Sequence, residues 1–153
     1  MITNKKDNLG QKIITSSFSG SRYPVKTFQF VEKLKNVKKC EIVNAWLREN
    51  NVLVHEKEIK GEYFLNTYYP GKWETSMRSL YIPYGPSNIH YRYYFDCISV
   101  RGWLKYPQEK LDAAAQMWLK EHPRNRILWQ HKVDHSTTKA EFMSTFFLFT
   151  IIE

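Results

Sequence analysis

The five histidines are the residues of this chain best suited to acid–base or metal chemistry. His131 and His135 are four positions apart, a spacing that would place both side chains on one face of a helix, where they could bind one metal ion. The neighbouring residues favour a strand instead, in which four positions span about 13 Å. Side chains that far apart do not share an ion, so the sequence predicts no metal site.

A metal-independent ribonuclease would need a general base, a general acid and a cation beside the reacting phosphate. Side chains of the required types lie on predicted strands, namely His55, Glu58, Arg78, His90 and His131. They would act together only if their strands are neighbours in the sheet. This ribonuclease is the third of the functions that the sequence leaves open.

A phosphate-binding loop and a set of paired cysteines carry chemistry in many enzymes, and both are only weakly indicated in this sequence. Residues 19–22 form a flexible turn without the glycine spacing or the lysine of a phosphate-binding loop, and we predict no cofactor. Cys40 and Cys97 are separated by 56 residues, which does not suggest a disulfide framework. We expect both to be free, buried thiols of a protein in the reducing cytoplasm.

The positive charge of the chain is concentrated near its N-terminus. The net charge is +8; the first 40 residues carry nine lysines and arginines against two acidic residues, and the other 113 carry fourteen against thirteen. Basic segments of this kind often bind polyanions. Residues 1–24 are also rich in glycine, serine and threonine, so we predict a basic, partly flexible arm, with Ile13 and Ile14 attached to the body.

Tyrosine is concentrated in the middle of the chain, where nine of the ten tyrosines lie between Tyr63 and Tyr106. Strand alternation places Arg92 and Tyr94 on one face, opposite Phe95. An exposed aromatic face flanked by arginine can stack unpaired bases, and the same composition suits a protein interface. The predicted nucleic-acid-binding residues are Lys5, Lys6, Lys12, Arg22, Lys26, Arg92, Tyr94 and Arg101.

Two or three helices are expected to position these residues. Thr27 can cap a first helix with Phe28 on its apolar side, and this helix is either separate from the next one or continuous with it as one bent helix. Asn36 can cap a second helix that runs to about Glu49, and its apolar side chains recur at helical spacing. A third helix follows Pro107 and spans residues 107–121, with Ala114, Ala115 and Trp118 facing the sheet.

The strands of this pattern complete one α+β domain over residues 25–153. We predict a four-stranded antiparallel meander, a helix and two closing strands. The four meander strands are residues 52–59, 63–69, 73–82 and 89–101, and the two closing strands are residues 127–133 and 142–152. Residues 83–86, which hold two prolines and a glycine, are expected to end the third strand.

These features favour a non-enzymatic accessory protein that binds nucleic acid, with single strands or RNA preferred, through the arm and an aromatic sheet face. The alternative is a protein-binding module, either an inhibitor or a structural subunit of a large ribonucleoprotein or viral assembly. No membrane partner is expected, because the longest apolar stretch, residues 142–152, is shorter than the roughly 20 residues that span a bilayer.

Overall fold

An eight-stranded antiparallel sheet with two α-helices forms the structure, a computed structural model that describes residues 12–14, 22–31, 34–69, 72–136 and 140–153. The protein is therefore of the α+β class, as predicted. Its elements are β1 (Lys12–Ile14), β2 (Val25–Gln29), α1 (Asn36–Glu49), β3 (Val52–Val54), a 3-10 turn (Glu56–Glu58), β4 (Lys60–Tyr69), β5 (Lys72–Pro86), β6 (Tyr93–Trp103), α2 (Gln108–Glu121), β7 (Asn125–Ser136) and β8 (Glu141–Ile152). Neither α-helix is long and apolar enough to cross a membrane.

The long strand β5 organises one half of the sheet. Ser79 in β5 pairs with Gln29 of β2 and also with Glu62 of β4, so these two strands lie on opposite edges of β5. β3 pairs with the end of β5, and β7 touches its beginning at a single position. β1 pairs with β4, which confirms that Ile13 and Ile14 are attached to the body.

The other half of the sheet is built around β8, which lies between β6 and β7. The predicted fourth meander strand is β6, but it pairs with β8 instead of β5, so the fourth strand has a different place from the one predicted. Phe95 of β6 pairs with Phe149 of β8, and both side chains are completely buried. Together with Phe147 they form the aromatic centre of the core.

Three local predictions were wrong, the first two because β5 supplies pairing that the sequence does not show. The segment after Thr27 belongs to strand β2, in which Phe28 and Phe30 alternate into the core. β5 does not stop at Pro83 but continues to Pro86, because the Pro83 carbonyl still accepts a hydrogen bond from His55 N. The predicted strand 52–59 is interrupted by the 3-10 turn after β3.

Helix α1 covers the free edge of β6. The carboxamide of Asn44 accepts a hydrogen bond from Phe95 N (2.8 Å) and donates one to Phe95 O (2.8 Å). In an antiparallel pair both backbone groups of a residue point to the same side, so these two point away from β8. Asn44 thus satisfies backbone groups that an edge strand leaves unpaired, and it fixes α1 against the sheet.

Helix α2 packs on the face of β6 that carries Tyr94 and Asp96. Leu111 and Trp118 of α2 are buried, and the Trp118 indole donates a hydrogen bond to the Asp96 carboxylate. The predicted contact of Trp118 with the sheet is confirmed, whereas Ala114 and Ala115 are only half-buried.

Candidate nucleic-acid interface

Four half-buried rings lie together where β2, β3 and β6 begin or end. We refer to Tyr23, His55, Tyr91 and Tyr93 as the tyrosine–histidine surface. The rings of Tyr23 and His55 are stacked, with centroids 3.5 Å apart and an interplanar angle of 17°. Tyr91 and Tyr93 contact each other at 5.8 Å in a tilted arrangement.

A hydrogen bond connects the backbone next to His55, in one pair, to Tyr93, in the other pair. The backbone N–H of Val54, the residue before His55, donates to the phenol oxygen of Tyr93 (3.0 Å). Burial raises the pKa of Tyr93, partly offset by this hydrogen bond, so the phenol stays neutral. The surface therefore offers aromatic rings, one of them the neutral Tyr93 phenol, on a hydrogen-bonded support, which suits stacking against flat ligands.

Three of the predicted binding residues belong to segments that are described, two of them next in the chain to rings of this surface. Arg22 and Arg92 are exposed and directly precede Tyr23 and Tyr93 in the chain. Lys26 lies over the rings of Phe28 (5.2 Å) and Trp46 (6.0 Å), which holds its ammonium group by cation–π attraction.

Two other predicted residues lie elsewhere. Tyr94 is half-buried against α2, where its ring stacks on His122 at 6.2 Å. Arg101 is nine positions beyond Arg92 along β6, a distance of about 30 Å in a strand, and it forms an ion pair with Glu141 (3.4 Å). The side chains of Tyr94 and Arg101 therefore do not join the tyrosine–histidine surface.

The remaining predicted nucleic-acid-binding residues are the lysines near the N-terminus. Lys5 and Lys6 lie outside the described residues. Lys12 begins β1, where its backbone pairs with Leu65.

Two arginines that the sequence analysis missed lie beside Arg92. The Arg92 carbonyl accepts a hydrogen bond from Ile152 N, and Glu153 N donates to the Arg124 carbonyl. Arg126 pairs through Ile151 with Tyr93, and its side chain forms an ion pair with Glu153 (2.9 Å). The strand order β6–β8–β7 brings these arginines together, and nothing in the local sequence reveals that order.

The candidate ribonuclease residues have different immediate neighbours. His55 stacks on Tyr23, and His90 is hydrogen-bonded to Asn51. Arg78 and His131 also have different contact partners. Arg78 acts electrostatically on Glu62, and His131 stacks on Tyr63 and Trp129. Glu58 N donates to His55 O (3.0 Å), which joins two members of the set through their backbone. The side-chain contacts described above do not bring an acid, a base and a cation together, so they do not support the ribonuclease hypothesis.

His131 is expected to make the stability of the fold depend on pH. Its ring stacks on buried Tyr63 at 4.6 Å, and burial lowers its pKa below the usual value of about 6.5. The unfolded chain then binds a proton more readily than the folded chain does. Stability should therefore be complete above about pH 6.5 and decrease as the pH falls towards the folded-state pKa.

Urea unfolding of the wild type and His131→Phe at several pH values between 8 and 5 would measure this effect. The phenylalanine variant should lose less stability on acidification. The difference isolates His131, because Glu62, whose pKa burial raises, titrates in both proteins. Trp129→Phe is the control, since it alters the stack but should retain the wild-type acid response; equal pH dependence in wild type and His131→Phe would refute the assignment.

Comparisons of this chain with protein-family models, curated proteins and solved structures gave no match. The functional argument therefore depends on the geometry and charge of the chain itself.

Proposed function

We propose that this protein is a non-enzymatic accessory protein that binds single-stranded nucleic acid, with RNA included, through the tyrosine–histidine surface and the cations around it. The observation that carries the proposal is the grouping of half-buried Tyr23, His55, Tyr91 and Tyr93 at the strand ends, with exposed Arg22 and Arg92 next to Tyr23 and Tyr93 in the chain. Stacked rings beside cations are the combination that unpaired nucleotides require.

The two parts of this surface would contribute different kinds of binding energy. Stacking of a base on an aromatic ring contributes about 1–3 kcal/mol and depends little on base identity. Cations attract the phosphate backbone, and this part weakens as salt rises because counterions are released on binding. Exposed Arg22 and Arg92, which precede Tyr23 and Tyr93 in the chain, support such backbone attraction together with the basic arm and with Arg126, which lies across Ile151 from Tyr93.

The proposal is tested by measuring how the affinity for single-stranded nucleic acid depends on salt concentration. If the arm and the arginines neutralise about five phosphates of a single strand, the logarithmic slope of affinity against salt should be near −3.5. That slope corresponds to roughly a hundredfold weakening between 50 and 200 mM salt. Titration of labelled single-stranded RNA and DNA by fluorescence anisotropy at three salt concentrations measures it.

Variants separate the two contributions. Changing Lys5, Lys6, Lys12 and Arg22 to serine should flatten the slope, whereas removing Lys38, Lys105, Lys120 and Arg101 is the charge-matched control. Tyr91→Leu should weaken binding about equally at every salt concentration, because stacking releases no counterions. Tyr106→Leu, in the loop between β6 and α2, is the matched control for aromatic loss.

A second candidate function is a protein-binding module, and the loop between β6 and α2 favours it. Trp103, the last residue of β6, and Leu104 are adjacent large apolar residues that are 69% and 71% exposed. Trp103, Tyr106 and Pro107 line a cleft of about 380 Å³. No detectable nucleic-acid binding at 150 mM salt would exclude the first proposal and leave an inhibitor or assembly subunit that uses this loop.

A further inference from the structure

We infer that Cys40, Asp96 and Cys97 form a binding site for a zinc-type divalent cation. The site is independent of the proposed nucleic-acid surface and was not expected from the sequence, in which only histidine spacing suggested a metal. One ligand atom from each of the three residues lies within 4.8 Å of the other two. This is the sole grouping of three or more potential ligands found across the described parts of the chain.

The distances require only a small movement to bind an ion. Zinc lies about 2.3 Å from cysteine sulfur and about 2.0 Å from carboxylate oxygen, so tetrahedral ligand atoms are about 3.5–3.8 Å apart. The ligand atoms therefore need to approach one another by at most about 1 Å. Two thiolates with one carboxylate match the ligand preferences of zinc better than those of calcium or magnesium.

The carboxylate is held in place by neighbouring donors. Asp96 Oδ1 accepts a hydrogen bond from Cys97 N (2.8 Å), and Oδ2 accepts one from Trp118 Nε1 (2.9 Å). Consecutive strand side chains normally point to opposite faces. Here the Cys97 amide lies on the free edge of β6, and the Asp96 carboxylate turns towards that edge to reach it. Such outer hydrogen bonds are the means by which proteins orient metal ligands.

Cys40 reaches the same edge from α1. It lies one helical turn before Asn44, whose two hydrogen bonds to Phe95 fix α1 along β6. Phe95 and Cys97 are two positions apart in the strand, so their backbone groups point to the same side. The contact between the two cysteines therefore follows from the way α1 covers the strand edge.

The charges around the cluster suit a dication. The Cys40 and Cys97 side chains are hydrogen-bonded to each other. Lys39, next to Cys40 in the chain, is 1% exposed and acts electrostatically on both cysteines. A dication bound to three anionic ligands has a net charge of −1, which the Lys39 ammonium balances.

The fourth coordination position would be taken by water. Cys40 is buried, but Asp96 and Cys97 are only half-buried, so one side of the cluster is open to solvent. Three protein ligands and a water are the arrangement typical of an open zinc site.

Metal competition on the full, reduced chain tests this inference. Protein stripped with a chelator should take up one Zn²⁺ per chain from a chromogenic zinc indicator. Cys40→Ser and Cys97→Ser should each weaken zinc binding by at least about a hundredfold, and Asp96→Asn by at least about tenfold. Asp112→Asn, an exposed aspartate of α2 outside the cluster, should bind zinc as the wild type does.

A second measurement does not depend on whether the variants fold. Cd²⁺ bound to the wild type should give a thiolate-to-metal charge-transfer band with the intensity of two thiolates. Failure of the reduced wild type to bind zinc, or unchanged binding in both cysteine variants, would overturn the site. A disulfide between Cys40 and Cys97 in oxidised protein, combined with no zinc uptake after reduction, would identify a redox pair instead and likewise overturn it.

Discussion

Replacement of Trp118 by alanine is expected to lower the free energy of unfolding by about 3–5 kcal/mol, as truncation of large aromatic side chains in cores does. The Trp118 side chain is 6% exposed and lies between α2 and β6. It also stacks on His122 at 4.0 Å and donates a hydrogen bond to Asp96. The substitution therefore removes apolar contacts, leaves a cavity and deprives the Asp96 carboxylate of a donor.

The neighbouring residue provides the control for this prediction. Met117 is 56% exposed on the same helix, so Met117→Ala should change the stability by less than about 0.5 kcal/mol. Urea unfolding followed by circular dichroism measures both variants. A loss below about 1 kcal/mol for Trp118→Ala would show that α2 does not contribute to the core in solution.

The second large loss of stability is expected from replacing Asn44, which hydrogen-bonds to the free edge of β6. Asn44→Leu preserves the approximate shape of the side chain but leaves Phe95 N and Phe95 O without their partners. An unsatisfied buried backbone group costs about 1–3 kcal/mol, so we expect a loss of about 2–4 kcal/mol for the two groups in this partly buried setting. Hydrogen exchange of the Phe95 amide should also become faster.

Arg48→Leu is the matched control, because Arg48 is an exposed polar residue of the same helix. It should leave both the stability and the exchange of the Phe95 amide almost unchanged. Equal losses in the two variants would mean that leucine disturbs α1 generally and that the Asn44 hydrogen bonds have no special role.

The sequence predicts elements whose signals are local. α1 ends at Glu49 as predicted, and α2 begins one residue later than predicted, because each helix shows apolar residues at helical spacing. Asn36 was predicted to cap α1 but is its first helical residue; Lys35 is at the N-cap and makes no side-chain cap hydrogen bond. The segment around Thr27 was misassigned because Phe28 fits a short helix as well as a strand that alternates with Phe30. Pairing with β5 decides between the two, and that pairing involves residues about fifty positions away.

The candidate sites depend even more on distant contacts. Arg22 and Arg92 could be proposed as binding residues from charge alone, but the stacking of Tyr23 on His55 and the contact of β3 with Tyr93 follow from the packing of β2, β3 and β6. The cysteine–aspartate cluster could not be predicted, because its members belong to α1 and β6 and meet only where the helix covers the strand edge. Residue type suggests which chemistry is available, whereas strand order determines which groups meet.

The position of β8 has a consequence for how the chain is made. β8 is the last strand in the described chain, yet it supplies the pairing partner for nearly the whole length of both β6 and β7. During synthesis on the ribosome these two strands emerge first, with unpaired edges and with Phe95 uncovered. Exposed edges of this kind promote association between nascent chains, so the protein would depend on chaperones until residues 141–152 have left the exit tunnel.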